Sequence, residues 1–323
     1  MEPVLQIQGL KTRFATKRGM LTAVDGVSLH VDQGETLGIV GESGCGKSVT
    51  ALSILQLLPK PLAHIAEGKI LFNGQDLVKA KESVIRDIRG NQISMIFQEP
   101  MTSLNPVFTV GYQIMEPLKQ HRGMKKAQAR QEAVQLLELV GIPEPTARID
   151  DYPHQLSGGM RQRVMIAMAL ACHPAVMIAD EPTTALDVTI QAQILELMKK
   201  LQQEIGMAIL LITHDLGVVA ETCHRVMVMY AGKIVESADV GELFTRPAHP
   251  YTKGLFDSLP KRGHIGALPT IPGAVPSLLH LPPGCAFQDR CTYADKQCSQ
   301  VPPWQEVHAK HGVRCWHPLE EGI

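Results

Sequence analysis

The sequence predicts an α/β fold, and three observations carry that prediction. The first is Gly41-Glu42-Ser43-Gly44-Cys45-Gly46-Lys47-Ser48, which fits the phosphate-binding pattern G-x-x-x-x-G-K-S/T. An apolar run, Leu37 to Val40, enters it, and an apolar helical segment, Ala51 to Leu58, leaves it. The second is a series of apolar runs that each end in polar residues: Ile93 to Phe97 before Gln98, Val176 to Ala179 before Asp180-Glu181, and Met207 to Ile212 before Thr213-His214. Open parallel sheets bind ligands at such carboxyl ends. The third is a stretch of helical character from Val110 to about Ala171, which reads as a helical subdomain inserted into the α/β core at about 100–171.

The chain of 323 residues leaves room for about two domains. With 45% hydrophobic and 20% charged residues it can bury a sizeable core. A net charge of −1 argues against a nucleic-acid partner, which calls for a basic excess. No stretch approaches the roughly 18 apolar residues of a membrane span. Met1-Glu2-Pro3-Val4 lacks a basic-then-apolar targeting pattern. The expectation is a cytoplasmic protein, or one held at a membrane by a partner.

Taken in order, Val4 to Leu10 and Ala23 to Val31 read as strands, the second closed by Asp32-Gln33-Gly34-Glu35. Phe14, the nearest aromatic upstream of the phosphate loop, is placed either to stack on an adenine ring or to pack as a surface aromatic. In the loop itself, glycines let backbone N–H groups turn inward around anionic oxygens. The helix that follows adds its positive N-terminus. Lys47 can reach the β- and γ-phosphates, and the Ser48 hydroxyl can bind Mg²⁺. Lys69 to Phe72 followed by Asn73-Gly74 reads as a strand and tight turn. Gln98 then precedes the Pro-bounded loop Glu99 to Pro106.

Within the helical insertion, Ala133, Leu136, Leu137 and Val140 repeat at helical spacing and stop at Gly141-Ile142-Pro143. Leu156-Ser157-Gly158-Gly159 runs into another apolar helix and is a second place where N–H groups face an anion. Asp180, at its strand end, suits Mg²⁺ held through water, and Glu181 suits orienting or deprotonating a water. A helix after Asp187 places Ile190, Ile194, Leu197 and Leu201 on one face. Arg225 to Tyr230, Ala231-Gly232 and Lys233 to Glu236 read as a hairpin, and His249-Pro250-Tyr251-Thr252 opens a proline-rich tail. The core is therefore expected at 1–240 and a C-terminal extension at 241–323.

Together these motifs resemble the ATP-binding cassette (ABC) ATPases over roughly the first 240 residues. The phosphate loop, Gln98, the Leu-Ser-Gly-Gly signature, Asp180-Glu181, the Thr184 to Asp187 loop and His214 stand in the family's order; Met160 replaces the commonest signature Gln. The resemblance implies a P-loop NTPase core with N-terminal antiparallel strands. It implies that Gly41, Ser43, Gly44, Cys45, Gly46, Lys47, Ser48 and Val49 hold ATP, and that Ser48, Gln98 and Asp180 serve Mg²⁺. Glu181 would be the general base and His214 would contact the γ-phosphate. Two cassettes would face head to tail, with Ser157, Gly158 and Gly159 acting on the partner's nucleotide.

Phe97 to Pro106, the His249 to Thr252 motif and the cysteine tail further resemble the dipeptide/oligopeptide importer ATPases, a subfamily shared with nickel importers. That implies a sister ATPase as a heterodimer partner, two transmembrane permease subunits and an extracytoplasmic solute-binding protein. It also implies a peripheral position on the cytoplasmic face of the inner membrane. A soluble cassette ATPase of translation or DNA repair is the competing class. One cassette, no sustained heptads and no basic excess argue against it.

Four of the seven cysteines, Cys285, Cys291, Cys298 and Cys315, fall in the tail. In a reducing compartment they suggest a metal more than disulfides. They suit Zn²⁺ or an iron–sulfur cluster. The lack of close Cys-x2-Cys pairs weakens a zinc ribbon, and the family resemblance implies a 4Fe–4S cluster of structural or redox-sensing role. Unliganded or disulfide-linked cysteines are the remaining reading. Cys45, Cys172 and Cys223 read as small apolar residues.

Overall fold

The computed structural model describes residues 3–98, 103–184, 186–259 and 269–319. Glu99 to Thr102, which open the loop after Gln98, and Ala185 of the Thr184 to Asp187 loop lie outside the described residues. The strands in chain order are β1 Leu5–Thr16, β2 Gly19–Val31, β3 Thr36–Val40, β4 Ala63–Phe72, β5 Gln75–Asp76, β6 Ile93–Ile96, β7 Val176–Asp180, β8 Ala208–Ile212, β9 Arg225–Tyr230, β10 Lys233–Asp239, β11 Trp304–His308 and β12 His311–Arg314. The chain divides into two compact units.

The first unit comprises Met1–Leu5, Val31–Glu35 and Phe72–Ile212. In it β6, β7 and β8 run parallel, with Ile96 opposite Ala179 and Asp180 opposite Ile212. Every residue of β7 and β8 is buried, which is why both read as unbroken apolar runs rather than alternating ones. The register puts the carboxyl ends of all three strands at one edge.

The expected helical insertion consists of helices Val110–His121, Lys126–Leu139, Pro145–Arg148 and Gly158–Leu170. Thr109 caps the first through its hydroxyl, which accepts from the Tyr112 N–H at 3.3 Å. The second buries Ala129, Ala133, Leu136 and Leu137 and ends before Gly141, at φ 74°. One expectation shifts. The helix Val188–Ile205 buries Ile194, Leu195, Met198 and Leu201, while Leu197 and Ile190 are only half-buried. The buried stripe is thus rotated, because several apolar residues on this helix satisfy a 3.6 period and packing selects among them.

The second unit comprises Gln6–His30, Thr36–Leu71 and Thr213–Ile323. Strands β2, β1 and β4 lie side by side in that order. The first two extend beyond the expected bounds, to Thr16 and from Gly19, because the Thr16 hydroxyl closes the turn on the Gly19 carbonyl at 2.7 Å. Phe14 is therefore a strand residue, half-buried. β3 and β9 are parallel, with Val40 opposite Val228. β9 and β10 form the expected antiparallel hairpin, turning at Ala231 (φ 45°) and Gly232 (φ 83°).

The tail supplies two strands that sequence reasoning did not place. β12 pairs antiparallel with β10 and with β11. β11 is short and largely polar, so its strand character comes from its ladder partner rather than from its own pattern. The buried Glu236 carboxylate fastens this region, accepting from the N–H groups of Ala248 (2.5 Å) and His249 (2.9 Å) and pairing with His311 Nε2 at 2.8 Å. Among the described residues no helix is long and apolar enough to cross a membrane.

Candidate nucleotide-binding and hydrolysis site

In the second unit the phosphate loop leaves the carboxyl end of β3 and opens the helix Lys47–Ile54. Its glycines are demanded by close approach. A Cβ on Gly41 would lie 2.1 Å from the Met229 carbonyl oxygen, and one on Gly46 would lie 2.4 Å from that of Ala23. Gly46 caps the helix at φ 109° with no side-chain hydrogen bond, and no acidic residue occupies the first turn. The helix N-terminus is thus left for an external anion. Lys47 is only 5% exposed, and its Nζ donates to the carbonyls of Gly41 (2.6 Å) and Glu42 (3.1 Å). Ser43 and Gly44 are exposed, Cys45 and Gly46 are buried, and Ser48 and Val49 are half-buried. Burial pushes the Cys45 thiol above its ordinary pKa, so it stays protonated beneath the loop.

His214, two residues beyond β8, is exposed in the second unit. Its neighbours are fixed. Thr213 N–H donates to the Ile39 carbonyl at 3.3 Å, and the Asp215 carboxylate caps the next helix by accepting from Gly217 (2.8 Å) and Val218 (3.2 Å).

In the first unit the strand ends converge as the register requires. Asp180 closes β7 and is 4% exposed. Glu181 follows in the left-handed region at φ 48°, an unfavourable conformation for a residue with a side chain. Its N–H is tied to the Ile212 carbonyl at 2.8 Å. Its Oε2 accepts from Gln98 Nε2 and from the Thr184 hydroxyl, both at 2.9 Å. The carboxylate is therefore oriented by residues from two neighbouring strand ends. Gln98 and Glu181, each placed by the sequence at the end of an apolar strand, are brought together here; the Thr184 hydrogen bond and the backbone strain have no sequence signal.

The signature is also in the first unit. Ser157 caps the helix Gly158–Leu170, its hydroxyl accepting from the Met160 N–H at 3.3 Å. Ser157 is exposed and Gly158 and Gly159 are half-buried. A Cβ on Gly159 would lie 2.8 Å from the Ile190 side chain, whereas one on Gly158 would meet nothing nearer than Leu186 at 3.9 Å.

In the tail, Cys285, Cys291, Cys298 and Cys315 line one cavity together with His249 and His317. Burial raises the thiols of Cys285 and Cys291, and pushes that of Cys315 up to about 12. Ligand atoms of Asp295, Cys298 and His317 also lie within 4.8 Å of one another. That close-set group holds one of the four thiols, Cys298.

Two residues that sequence reasoning gave no chemical role, Tyr251 and Arg290, also touch the phosphate loop. Tyr251 accepts from the Glu42 N–H through its hydroxyl at 2.8 Å, and Arg290 holds the Glu42 carboxylate with help from Tyr230. The His-Pro-Tyr-Thr motif was visible in the sequence, but its contact lies 209 residues away.

The comparisons with known proteins agree with this geometry. The ABC transporter family model matches residues 24–184, and the model of the oligopeptide/dipeptide transporter C-terminal region matches residues 235–298. A probable peptide ABC transporter ATP-binding protein of Sinorhizobium fredii is 54% identical, covering 98% of this chain and 96% of its own. A dipeptide transport ATP-binding protein of Bacillus subtilis is 53% identical over 98% and 95%, and an oligopeptide transport ATP-binding protein of the same organism 54% over 100% and 99%. Among solved structures, a dimeric ATP-binding cassette in a post-hydrolysis state bound to ADP and Pi matches with a TM-score of 0.66 and 28% identity, covering 73% of this chain and 98% of that one. A strand–loop–helix phosphate site, an oriented glutamate after β7 and full-length relatives of this kind have one reading: the chain belongs to the ABC transporter family, in its oligopeptide/dipeptide transporter branch, and is an ATPase subunit.

Proposed function

We propose that this subunit powers uptake of di- and oligopeptides through a membrane importer. The observation that carries the reading is the match of the whole chain, C-terminal region included, to ATP-binding proteins named for peptide transport. In this reading 1–240 is the nucleotide-binding domain and 241–323 the extension. The loop Gly41 to Val49 cradles the phosphates of ATP, and Phe14 stacks on the adenine. Ser48, Gln98 and Asp180 would hold Mg²⁺, which when bound offsets charge between the β- and γ-phosphates. Glu181, oriented by Gln98 and Thr184, takes a proton from the attacking water. His214 donates to the γ-phosphate. Ser157, Gly158 and Gly159 present N–H groups to the nucleotide of a sister ATPase in a head-to-tail heterodimer.

Two transmembrane subunits and an extracytoplasmic solute-binding protein complete the assembly, with this chain on the cytoplasmic face of the membrane. Cys285, Cys291, Cys298 and Cys315 would hold a 4Fe–4S cluster, which supplies a structural staple or a redox-responsive one; Zn²⁺ is the alternative occupant. The shared cavity and the donor set support that reading.

The test is purification of the tagged chain from gently solubilised membranes under anaerobic conditions. Co-recovery of two membrane subunits and a sister ATPase, with turnover stimulated by peptide-loaded binding protein and not by nickel, is the expected result. Recovery of the chain alone, or stimulation by nickel instead, overturns it. Iron and acid-labile sulfide in the purified complex distinguish the cluster from zinc.

A further inference from the structure

The phosphate loop is braced from the far end of the chain. Arg290 is 7% exposed, and its guanidinium makes a bidentate pair with Glu42, NH1 to Oε2 at 2.7 Å and NH2 to Oε1 at 3.0 Å. The guanidinium is itself held from behind, because Nε donates to the Pro272 carbonyl at 3.0 Å and NH1 to the Tyr230 hydroxyl at 3.3 Å. Glu42 is the second residue of the loop, and its N–H is held as well, by the hydroxyl of the fully buried Tyr251. Phe287, three residues before Arg290, packs edge-on against Tyr230 at 5.2 Å and against Tyr251 at 5.4 Å. The same Glu42 offers its carbonyl to Lys47 Nζ.

We propose that Arg290 is a positioning residue for ATP binding, acting through Glu42 on the phosphate loop. Two physical effects follow from the geometry. A bidentate, charge-assisted pair fixes Glu42 in direction as well as distance, and with it the carbonyl against which Lys47 is set. The pair also neutralises a carboxylate standing at the mouth of a triphosphate site, where an uncompensated negative charge repels the ligand. Neither effect requires Arg290 to touch ATP. The proposal rests on the ATP reading of the loop and extends it to the tail, which thereby serves nucleotide affinity as well as its own fold.

The test is MgATP titration of the purified, assembled importer. In Arg290→Gln the KM for ATP is expected to rise about tenfold while kcat at saturating ATP stays within about twofold, the split that marks lost binding rather than lost chemistry. Arg290→Lys recovers only part of the affinity, because a point charge cannot make the planar pair. Glu42→Ala weakens ATP binding less, because it removes the repelling carboxylate along with the brace, and the double substitution is no worse than Arg290→Gln alone.

Unchanged KM in Arg290→Gln, a fall in kcat alone, or fully additive losses in the double variant each overturn the proposal. Should Arg290→Gln fail to assemble, Glu42→Ala decides from the loop side, with unchanged ATP affinity counting against the clamp. Failure of the parent complex to bind ATP would instead overturn the reading of the loop itself.

Discussion

The phosphate loop and the signature turn are both glycine-rich entries to a helix, yet their ends are treated in opposite ways. At Gly46 the helix has no side-chain cap, its lysine is buried, and the surrounding carbonyls leave no room for a Cβ. At Ser157 the helix caps itself, the serine is exposed, and Gly158 has open space beside it. The first is a preorganised, tightly packed cradle whose helix end carries no side-chain cap, an arrangement that suits an anion. The second is a finished helix end that stands without a ligand and presents its N–H groups outward. That difference separates a helix entry shaped to receive an anion from one that is complete by itself.

The sharpest way to break the comparison is to add one methyl group to the cradle. Gly46→Ala forces a Cβ to 2.4 Å from a backbone oxygen at φ 109°, so stability is expected to fall by about 3 kcal/mol or more and ATP binding to vanish. Thermal unfolding and nucleotide titration check both, and a normally binding variant would show the loop to be far more pliable than described.

Glu181→Gln probes whether the cradle is self-sufficient. Turnover should drop roughly 10²–10⁴-fold while ATP binding persists. Loss of binding in that variant would mean that the strand-end group is part of the cradle, and near-normal turnover would remove Glu181 from its role.

Ser157→Ala takes away the cap on the second helix and is expected to cost about 1 kcal/mol, read as a small fall in Tm with this chain's own ATP affinity intact. An accompanying loss of affinity in the isolated chain would erase the contrast between the two ends. Gly158→Ala should have the smallest effect on stability, within about 1 kcal/mol of the parent, because nothing lies closer than 3.9 Å to the added methyl. A severe destabilisation there would show the signature to be as tightly built as the phosphate loop.

Legibility in the sequence followed how local each interaction is. Lys47 and Ser48 were readable because a nest of N–H groups must be made by consecutive residues. Gln98, Asp180 and Glu181 were readable because buried parallel strands are unbroken apolar runs whose first polar residue marks the carboxyl edge. The hairpin at Ala231-Gly232 was readable from its turn. By contrast, the buried face of Val188–Ile205 was misjudged by about one position, since its apolar residues satisfy more than one stripe. β11 and β12 were missed because their stability lies in pairing: β12 pairs with β10, 75 residues or more away in the register Glu236 to Val313 and Ser237 to Gly312, and β11 pairs in turn with β12.

The amino-acid sequence alone determined the α/β class, the phosphate loop, the signature and the family, because each is written in short contiguous segments whose chemistry depends on neighbours along the chain. Only the tertiary structure decided how those segments are held. It set Glu181 in a left-handed backbone between Gln98 and Thr184, gathered the four tail cysteines at one cavity, and joined Arg290 to Glu42 across 248 residues. Contacts of that span leave no periodicity or spacing behind them; they exist only once loop-closure entropy has been offset by the packing of the elements that carry them.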